Sequence, residues 1–155
     1  MSESRAKVLA YLQAHHAMTL ASLGEGGVWA AAVFYVNDGL RLYFLSAPTS
    51  RHSRNIAHDT RIAVTIQEDC ADWPQIKGIQ AEGRAAEIAG EEEKRARELY
   101  GAKFPIVGKL AQAPAAIVKA FAKVRWYRFE PEHLYFIDNS AGFGHREAVD
   151  CSAPA

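Results

Sequence analysis

The stretch that decides the fold runs from Ala17 to Ser46 and reads AMTLASLGEGGVWAAAVFYVNDGLRLYFLS. It contains three apolar or alternating segments, at residues 17–23, 28–36 and 40–46. The sequences GEGG and NDG separate them, and glycine, asparagine and aspartate tolerate the backbone conformations of tight hairpin turns. The stretch therefore predicts three consecutive antiparallel strands.

Further strand patterns follow toward the C-terminus. They lie at residues 61–67, 76–88, 124–130 and 133–138. Gly78 and Gly83, inside the second of these segments, predict a bend or a bulge in a sheet that must curl. The last two segments flank Pro131 and Glu132, which predicts a hairpin, and the tail from Asn139 is predicted to be mostly irregular.

Helical patterns flank these strands. They lie near the N-terminus, around Ile56, at residues 90–100 and in two pieces separated by Pro105 and Pro114. Six or seven short strands with flanking helices predict an α+β protein that is mainly β, namely a small antiparallel barrel with helices packed on it. The length predicts one domain over residues 1–155.

Composition narrows the function classes. The 155 residues carry 18 Lys+Arg and 18 Asp+Glu, and this zero net charge argues against a nucleic-acid partner. The chain has no apolar stretch of membrane-spanning length and no signal-peptide pattern at its start, so we expect no membrane partner and a cytoplasmic location. Two cysteines without CxxC spacing predict neither a disulfide framework nor a cysteine-rich metal site.

The sequence lacks the common motifs of hydrolases and of nucleoside triphosphatases. No GxSxG, HExxH or GxxxxGK[ST] pattern occurs. The adjacent His15 and His16 make a poor metal pair on a helix, because neighbouring residues point in different directions. We therefore assign no metal ligand and no catalytic residue from motifs.

One polar segment, TSRHSRN at residues 49–55, is a candidate site. It places hydroxyls, two guanidinium groups and an imidazole where a strand passes into a helix. Free N–H groups and the positive end of the helix dipole favour a phosphate there, and arginine adds donors that match phosphate oxygens. A surface helix cap with solvated basic side chains explains the composition equally well.

The order of these segments resembles a known family. LYFLSAPTSRHSRNI (residues 42–56), an apolar strand, and KGIQAEGRA (residues 77–85) are arranged as in the pyridoxamine 5′-phosphate oxidase-like FMN-binding split barrels. The stretch after residue 77 and the tail FIDNSAGFGHRE resemble the YhbP-like subgroup. The resemblance covers nearly the whole chain and implies an antiparallel split β-barrel with flanking helices, with FMN at the interface of a homodimer.

The resemblance also implies positions for the flavin phosphate and ring. Ser50, Arg51 and His52 match the family's Ser-Arg-Lys phosphate motif, with histidine in place of lysine, and Ser46 matches a hydroxyl that approaches the ring. The remaining cofactor-binding candidates are Ala32, Val33, Phe34, Gln80, Asn139, Phe143 and Gly144. The oxidase's strand-two arginine and lysine are replaced here by alanine and tyrosine, so the resemblance supports FMN binding better than any one reaction.

Three functional hypotheses follow. The first is an FMN-dependent oxidoreductase that acts on a small molecule, because a flavin supplies redox chemistry without an acid–base pair from the protein. The second is a barrel that binds haem or another flat ligand, with His133 or His145 as the iron ligand. The third is a cofactor-free structural or regulatory relative.

Overall fold

The computed structural model describes residues 1–152. Five α-helices lie at α1 Glu3–Ala14, α2 Arg51–His58, α3 Gly90–Lys103, α4 Pro105–Gly108 and α5 Ala115–Phe121. Eight strands lie at β1 Ala17–Gly24, β2 Gly27–Phe34, β3 Val36–Asp38, β4 Arg41–Ser46, β5 Arg61–Gln67, β6 Lys77–Ile88, β7 Arg125–Asp138 and β8 Arg146–Val149. Short 3₁₀ turns occupy Trp73–Gln75, Leu110–Gln112 and Asn139–Ala141.

The strands form one antiparallel sheet in the order β2-β1-β5-β6-β7-β4-β3, and β8 pairs with β7. The strands at the two edges of this sheet, β2 and β3, are consecutive in the chain and are separated only by Tyr35. The sheet therefore curls until its two edges meet at Tyr35. The barrel is split where β2, which pairs with β1, diverges from the end of β4, which pairs with β7. The predicted α+β class and split antiparallel barrel with flanking helices are confirmed.

Alternating side chains fill the barrel, as their two-residue period requires. Met18 and Leu20 of β1 and Ile66 of β5 point inward and are almost fully buried. The rings of Phe44 in β4 and Tyr127 in β7 stack at 5.2 Å between centroids. A second apolar cluster, centred on Trp126 and Tyr100, packs α3 against the sheet.

Strand β7 differs from the prediction. The expected hairpin around Pro131 and Glu132 is wrong, because β7 continues through both residues and pairs with β6 along its length. The register shifts between Glu82 and Gly83, and Gly83 then lies opposite Pro131. The irregularity lies at Gly83, as predicted, but the extra residue is Glu132 of β7, and the ladder takes up Pro131 without ending the strand.

Two smaller differences concern the ends of strands. The segment predicted as one strand at 28–36 is interrupted at Tyr35, whose phenol is buried and donates to the carbonyl oxygen of Leu12 at 2.9 Å. The tail, predicted to be mostly irregular, contains β8, which pairs with β7 from Leu134 to Ile137. In the described part of the tail, residues 139–145 and 150–152 lie outside any strand.

Candidate functional site

Two side chains of the predicted phosphate segment and the predicted ring contact Ser46 form a hydrogen-bonded cluster where β4 passes into α2. The Nε2 atom of His52 lies 2.6 Å from Ser46 Oγ and 3.3 Å from Ser50 Oγ. The two hydroxyl oxygens are 3.2 Å apart. We call Ser46, Ser50 and His52 the hydroxyl–imidazole cluster.

The start of α2 is fixed by Ser50. Its hydroxyl accepts a hydrogen bond from the Ser53 N–H, which is the usual role of an N-cap serine. The first N–H that reaches a carbonyl within the helix is that of Arg54, which donates to Ser50 O at 3.0 Å. The N–H groups of Arg51 and His52 therefore have no carbonyl partner within the helix, and they lie beside the hydroxyl–imidazole cluster, which suits an anion.

Burial affects the charge of the cluster. Desolvation lowers the pKa of His52 from its ordinary value. The imidazole is therefore neutral at neutral pH, and it offers a hydrogen-bonding nitrogen but no full positive charge. Without a ligand, the cluster therefore carries no full positive charge of its own.

Arg51 is the nearest source of positive charge, but its guanidinium is turned toward the β1–β2 turn. Its Nη2 donates to the carbonyl oxygen of Gly26 at 2.9 Å, and its guanidinium carbon lies 4.4 Å from the ring centroid of Trp29. The structure therefore brings Ser46, Ser50 and His52 together and places the Arg51 head group outside that cluster.

The three predicted β2 residues point to two sides. Ala32 and Phe34 are exposed on the outside of the barrel, whereas Val33 packs partly against the core. The ring of Phe34 lies 5.4 Å from that of Phe104, which follows α3. The backbone of this segment pairs with β1 alone, so its other edge faces the split.

Gln80 is on the outside of the barrel, in one row with Ala32. The register pairs Ala32 with Thr19, Thr19 with Thr65, and Thr65 with Gln80. Three strand spacings of about 4.8 Å separate Ala32 from Gln80 by about 14 Å. Within one chain, Gln80 is therefore distant from the residues beside the split.

The outer surface of β2, β1, β5 and β6 carries mainly small residues. We call it the outer face; its members include Thr19, Ala21, Ala30, Ala32, Ala63, Thr65 and Gln80. A shallow pocket of about 350 Å³ lies on it and extends to Tyr135 and Arg146, whose guanidinium is 4.6 Å from the Tyr135 ring centroid. The sequence predictions did not include this surface. The residues that alternate with the buried ones along each strand point outward, and this pattern could have identified it.

The three predicted tail residues lie at the other end of β7. Ser46 pairs with Arg125, the first residue of β7, whereas Asn139 follows its last residue. The 14 residues of β7, at about 3.3 Å each, separate these points by about 45 Å along the strand. Asn139, Phe143 and Gly144 are therefore remote from the hydroxyl–imidazole cluster of their own chain.

The tail residues have local roles. Asn139 Nδ2 donates to the carbonyl oxygen of Trp73 at 3.0 Å, and Asn139 Oδ1 accepts from Gly144 N–H at 3.1 Å. The ring of Phe143 lies 5.6 Å from that of Trp73, and both side chains are largely exposed. The tail thus forms an ordered turn with an exposed aromatic pair.

The two histidines considered as haem ligands have acidic neighbours. His133 Nδ1 lies 3.0 Å from Glu82 Oε1, and His145 Nε2 lies 3.0 Å from Glu147 Oε1. His133 extends from β7 on the outside of the barrel, where its register partner is Glu82. Over residues 1–152, no three His, Cys, Asp or Glu side chains converge as a metal site, and no helix is long and apolar enough to cross a membrane.

Comparison with known proteins places this barrel in a family. The family model described as pyridoxamine 5′-phosphate oxidase matches residues 4–138. The chain belongs to this family and is a split barrel of the pyridoxamine 5′-phosphate oxidase-like kind. Among curated proteins it is similar to the UPF0306 protein YhbP of Escherichia coli (strain SMS-3-5 / SECEC), with 27% identity over 146 residues that cover 93% of this chain and 91% of that one. The predicted family and YhbP-like resemblance are confirmed.

Solved structures share the fold. A haem-binding protein from Mycobacterium smegmatis superposes with a TM-score of 0.74 and 19% identity, covering 97% of this chain and 60% of that chain. The haem storage protein HutZ from Vibrio cholerae gives a TM-score of 0.68 and 17% identity, covering 86% of this chain and 94% of that chain. At these identities the likeness establishes the architecture alone.

Proposed function

We propose that this chain binds FMN at the interface of a homodimer and acts as a flavin-dependent oxidoreductase on a small molecule. The observation that carries the proposal is the hydroxyl–imidazole cluster at the start of α2, beside the split, in a chain of this family. When bound, FMN supplies the hydride or electron transfer. The protein's part is to bind the phosphate, orient the ring and exclude water.

The residues present fit a phosphate in part. Ser46, Ser50 and the first N–H groups of α2 provide hydrogen bonds, and Arg51 provides the full charge that neutral His52 does not. Arg51 must then leave the carbonyl oxygen of Gly26 and turn by side-chain rotation toward the cluster. The β2 backbone at residues 32–34 would lie along the ring.

The distances within one chain favour a dimeric site. Gln80 and the tail residues Asn139, Phe143 and Gly144 lie too far from Ser46 to contact the same flavin from the same chain. A second copy can supply them. The exposed small-residue outer face gives two copies a flat surface on which to associate, and this agrees with a homodimer.

Arg51→Ala tests the phosphate contact. We expect FMN affinity to fall by about 1.5–3 kcal/mol, the usual worth of a hydrogen bond to a charged group. Isothermal titration of the apoprotein with FMN measures the change. Arg95→Ala, which removes an exposed arginine of α3 paired with Asp38, is the matched control and should bind as the wild type does. Equal affinity in both variants would show that the phosphate lies elsewhere.

His52→Lys restores the lysine that the family motif has at this position and tests the effect of the histidine found here. We expect FMN to bind about 1 kcal/mol more tightly at neutral pH, because an ammonium group makes a charge-assisted hydrogen bond where a neutral imidazole does not. The same titration measures it, with His52→Gln as the neutral comparison. A lysine variant that binds no better than the glutamine variant would contradict a role for this position at the phosphate.

A haem-binding function is the second candidate, and the two haem-protein neighbours favour it. His133 or His145 would be the iron ligand and would have to exchange its glutamate partner, Glu82 or Glu147, for iron. The absorption spectrum of the purified protein decides between a pair of flavin bands and a Soret band. A chain that binds neither ligand would show no rise in melting temperature, whereas a ligand at about 100 times its Kd adds about 2.7 kcal/mol.

A further inference from the structure

A polar cavity lies beside α2, apart from the pocket on the outer face. This groove of about 580 Å³ separates α2 from the β1–β2 turn, and we call it the α2 groove. Its lining consists of turn residues 24–26, Arg51, Arg54, Asn55 and His58. Arg51, Arg54 and His58 follow one another at intervals of three and four residues, which places them on one face of the helix.

The walls of the groove are held in place. The Asn55 side chain is buried and donates from Nδ2 to Ser22 Oγ at 3.0 Å, which ties α2 to β1. Gly24 approaches Asn55 so closely that a Cβ atom there would overlap the side-chain amide. The turn and the helix are thus fixed at a short separation, and the groove is a built feature of the fold.

The groove carries positive charge without a matching acid. Seven arginines elsewhere in the described chain each lie within 4.0 Å of a carboxylate. Arg51 and Arg54, like Arg5 and Arg146, have no such partner among residues 1–152, and they are the two that lie together in one groove. The one acidic lining residue is the exposed Glu25, and nearby Asp59 is already paired with Arg61 at 2.6 Å.

An aromatic side chain, Trp29, contacts one of these cations, Arg51, next to the lining of the groove. Trp29 packs against the Arg51 guanidinium and keeps 43% of its surface exposed. An exposed indole next to a groove with arginines that have no carboxylate partner suits a ligand that has both a phosphoryl group and a flat base, because bases stack on aromatic rings. A free phosphate would use only the arginines.

We propose that the α2 groove binds the phosphoryl group of a nucleotide, with Arg54 and His58 as phosphate ligands and Trp29 beside the base. Arg54 and His58 are outside the hydroxyl–imidazole cluster, so the proposed phosphate ligands of the groove differ from those proposed for FMN. The two sites share Arg51, which lines the groove and would turn toward the cluster when FMN binds. The groove adds a nucleotide to the flavin and the small molecule of the proposed function.

Titration of the full-length chain with ADP tests the proposal. We expect ADP to bind more tightly than inorganic phosphate, and adenosine to bind much more weakly than ADP. Arg54→Ala should weaken ADP binding at least about five-fold, since it removes a charge-assisted contact. Arg84→Ala, which removes an exposed arginine on β6 paired with Glu132, should leave it unchanged.

Other outcomes would overturn the proposal. If the wild type and Arg54→Ala bind ADP equally tightly, the groove is not the phosphate site. Inorganic phosphate that binds as tightly as ADP would rule out the nucleotide. FMN affinity must also be measured in Arg54→Ala: a loss for FMN equal to that for ADP would show a single phosphate site, whereas unchanged FMN affinity with weakened ADP supports two.

Discussion

Gly83→Ala is expected to destabilise the protein by about 3 kcal/mol or more, the largest loss we expect from any single methyl group. A Cβ atom on Gly83 would overlap the carbonyl oxygen of Glu130 and lie 2.9 Å from Pro131 Cα. Both are backbone atoms in the middle of β7, so neither can move aside by side-chain rotation. Urea unfolding followed by circular dichroism measures the change.

An alanine-to-glycine substitution on the same strand provides the control. Ala86→Gly lies three residues further along β6, at a half-buried position opposite Arg128. It should cost only about 1 kcal/mol or less, the ordinary difference between glycine and alanine. If Gly83→Ala unfolds at the same urea concentration as the wild type, the β6–β7 bulge is not the close approach described here.

This bulge also shows how far the sequence could predict the fold. Gly83 indicated an irregularity in β6, and that prediction is confirmed. Pro131 was interpreted as a turn because proline lacks an N–H and usually ends strand pairing. At a bulge the ladder is already interrupted, so proline costs little there. The compensation depends on a residue 48 positions earlier in the chain, which local patterns do not include.

In the candidate site, too, contacts between residues close in sequence differ from contacts that depend on the fold. The Ser46, Ser50 and His52 contacts lie within seven residues of sequence, where β4 passes into α2. The resemblance assigned Ser50 and His52 to the phosphate and Ser46 to the ring, and their hydrogen bonds to one another were not predicted. The direction of Arg51 depends on Trp29 and Gly26, which reach it only through the folded β1–β2 turn. The separation of Gln80 and the tail from the cluster depends on strand order, which the sequence did not specify.

Ala21→Glu is expected to convert the proposed homodimer into a monomer. Ala21 lies on β1 with Ala30 on one side and Ala63 on the other, and its side chain is exposed on the outer face. A two-fold axis places the substituted residue in the interface twice. Burying each carboxylate without a partner costs several kcal/mol, which is a large share of the stability of a typical interface.

Sedimentation velocity of the wild type and Ala21→Glu measures this change, and FMN titration of the same samples shows whether cofactor binding is lost with the dimer. Ala102→Glu places the same charge on an exposed position of α3 and should leave both properties unchanged. Circular dichroism should show both variants folded, since both side chains point to solvent in one chain. A dimer that persists in Ala21→Glu would show that copies do not associate through the outer face. A monomeric variant that keeps full FMN affinity would show that the flavin site is complete within one chain.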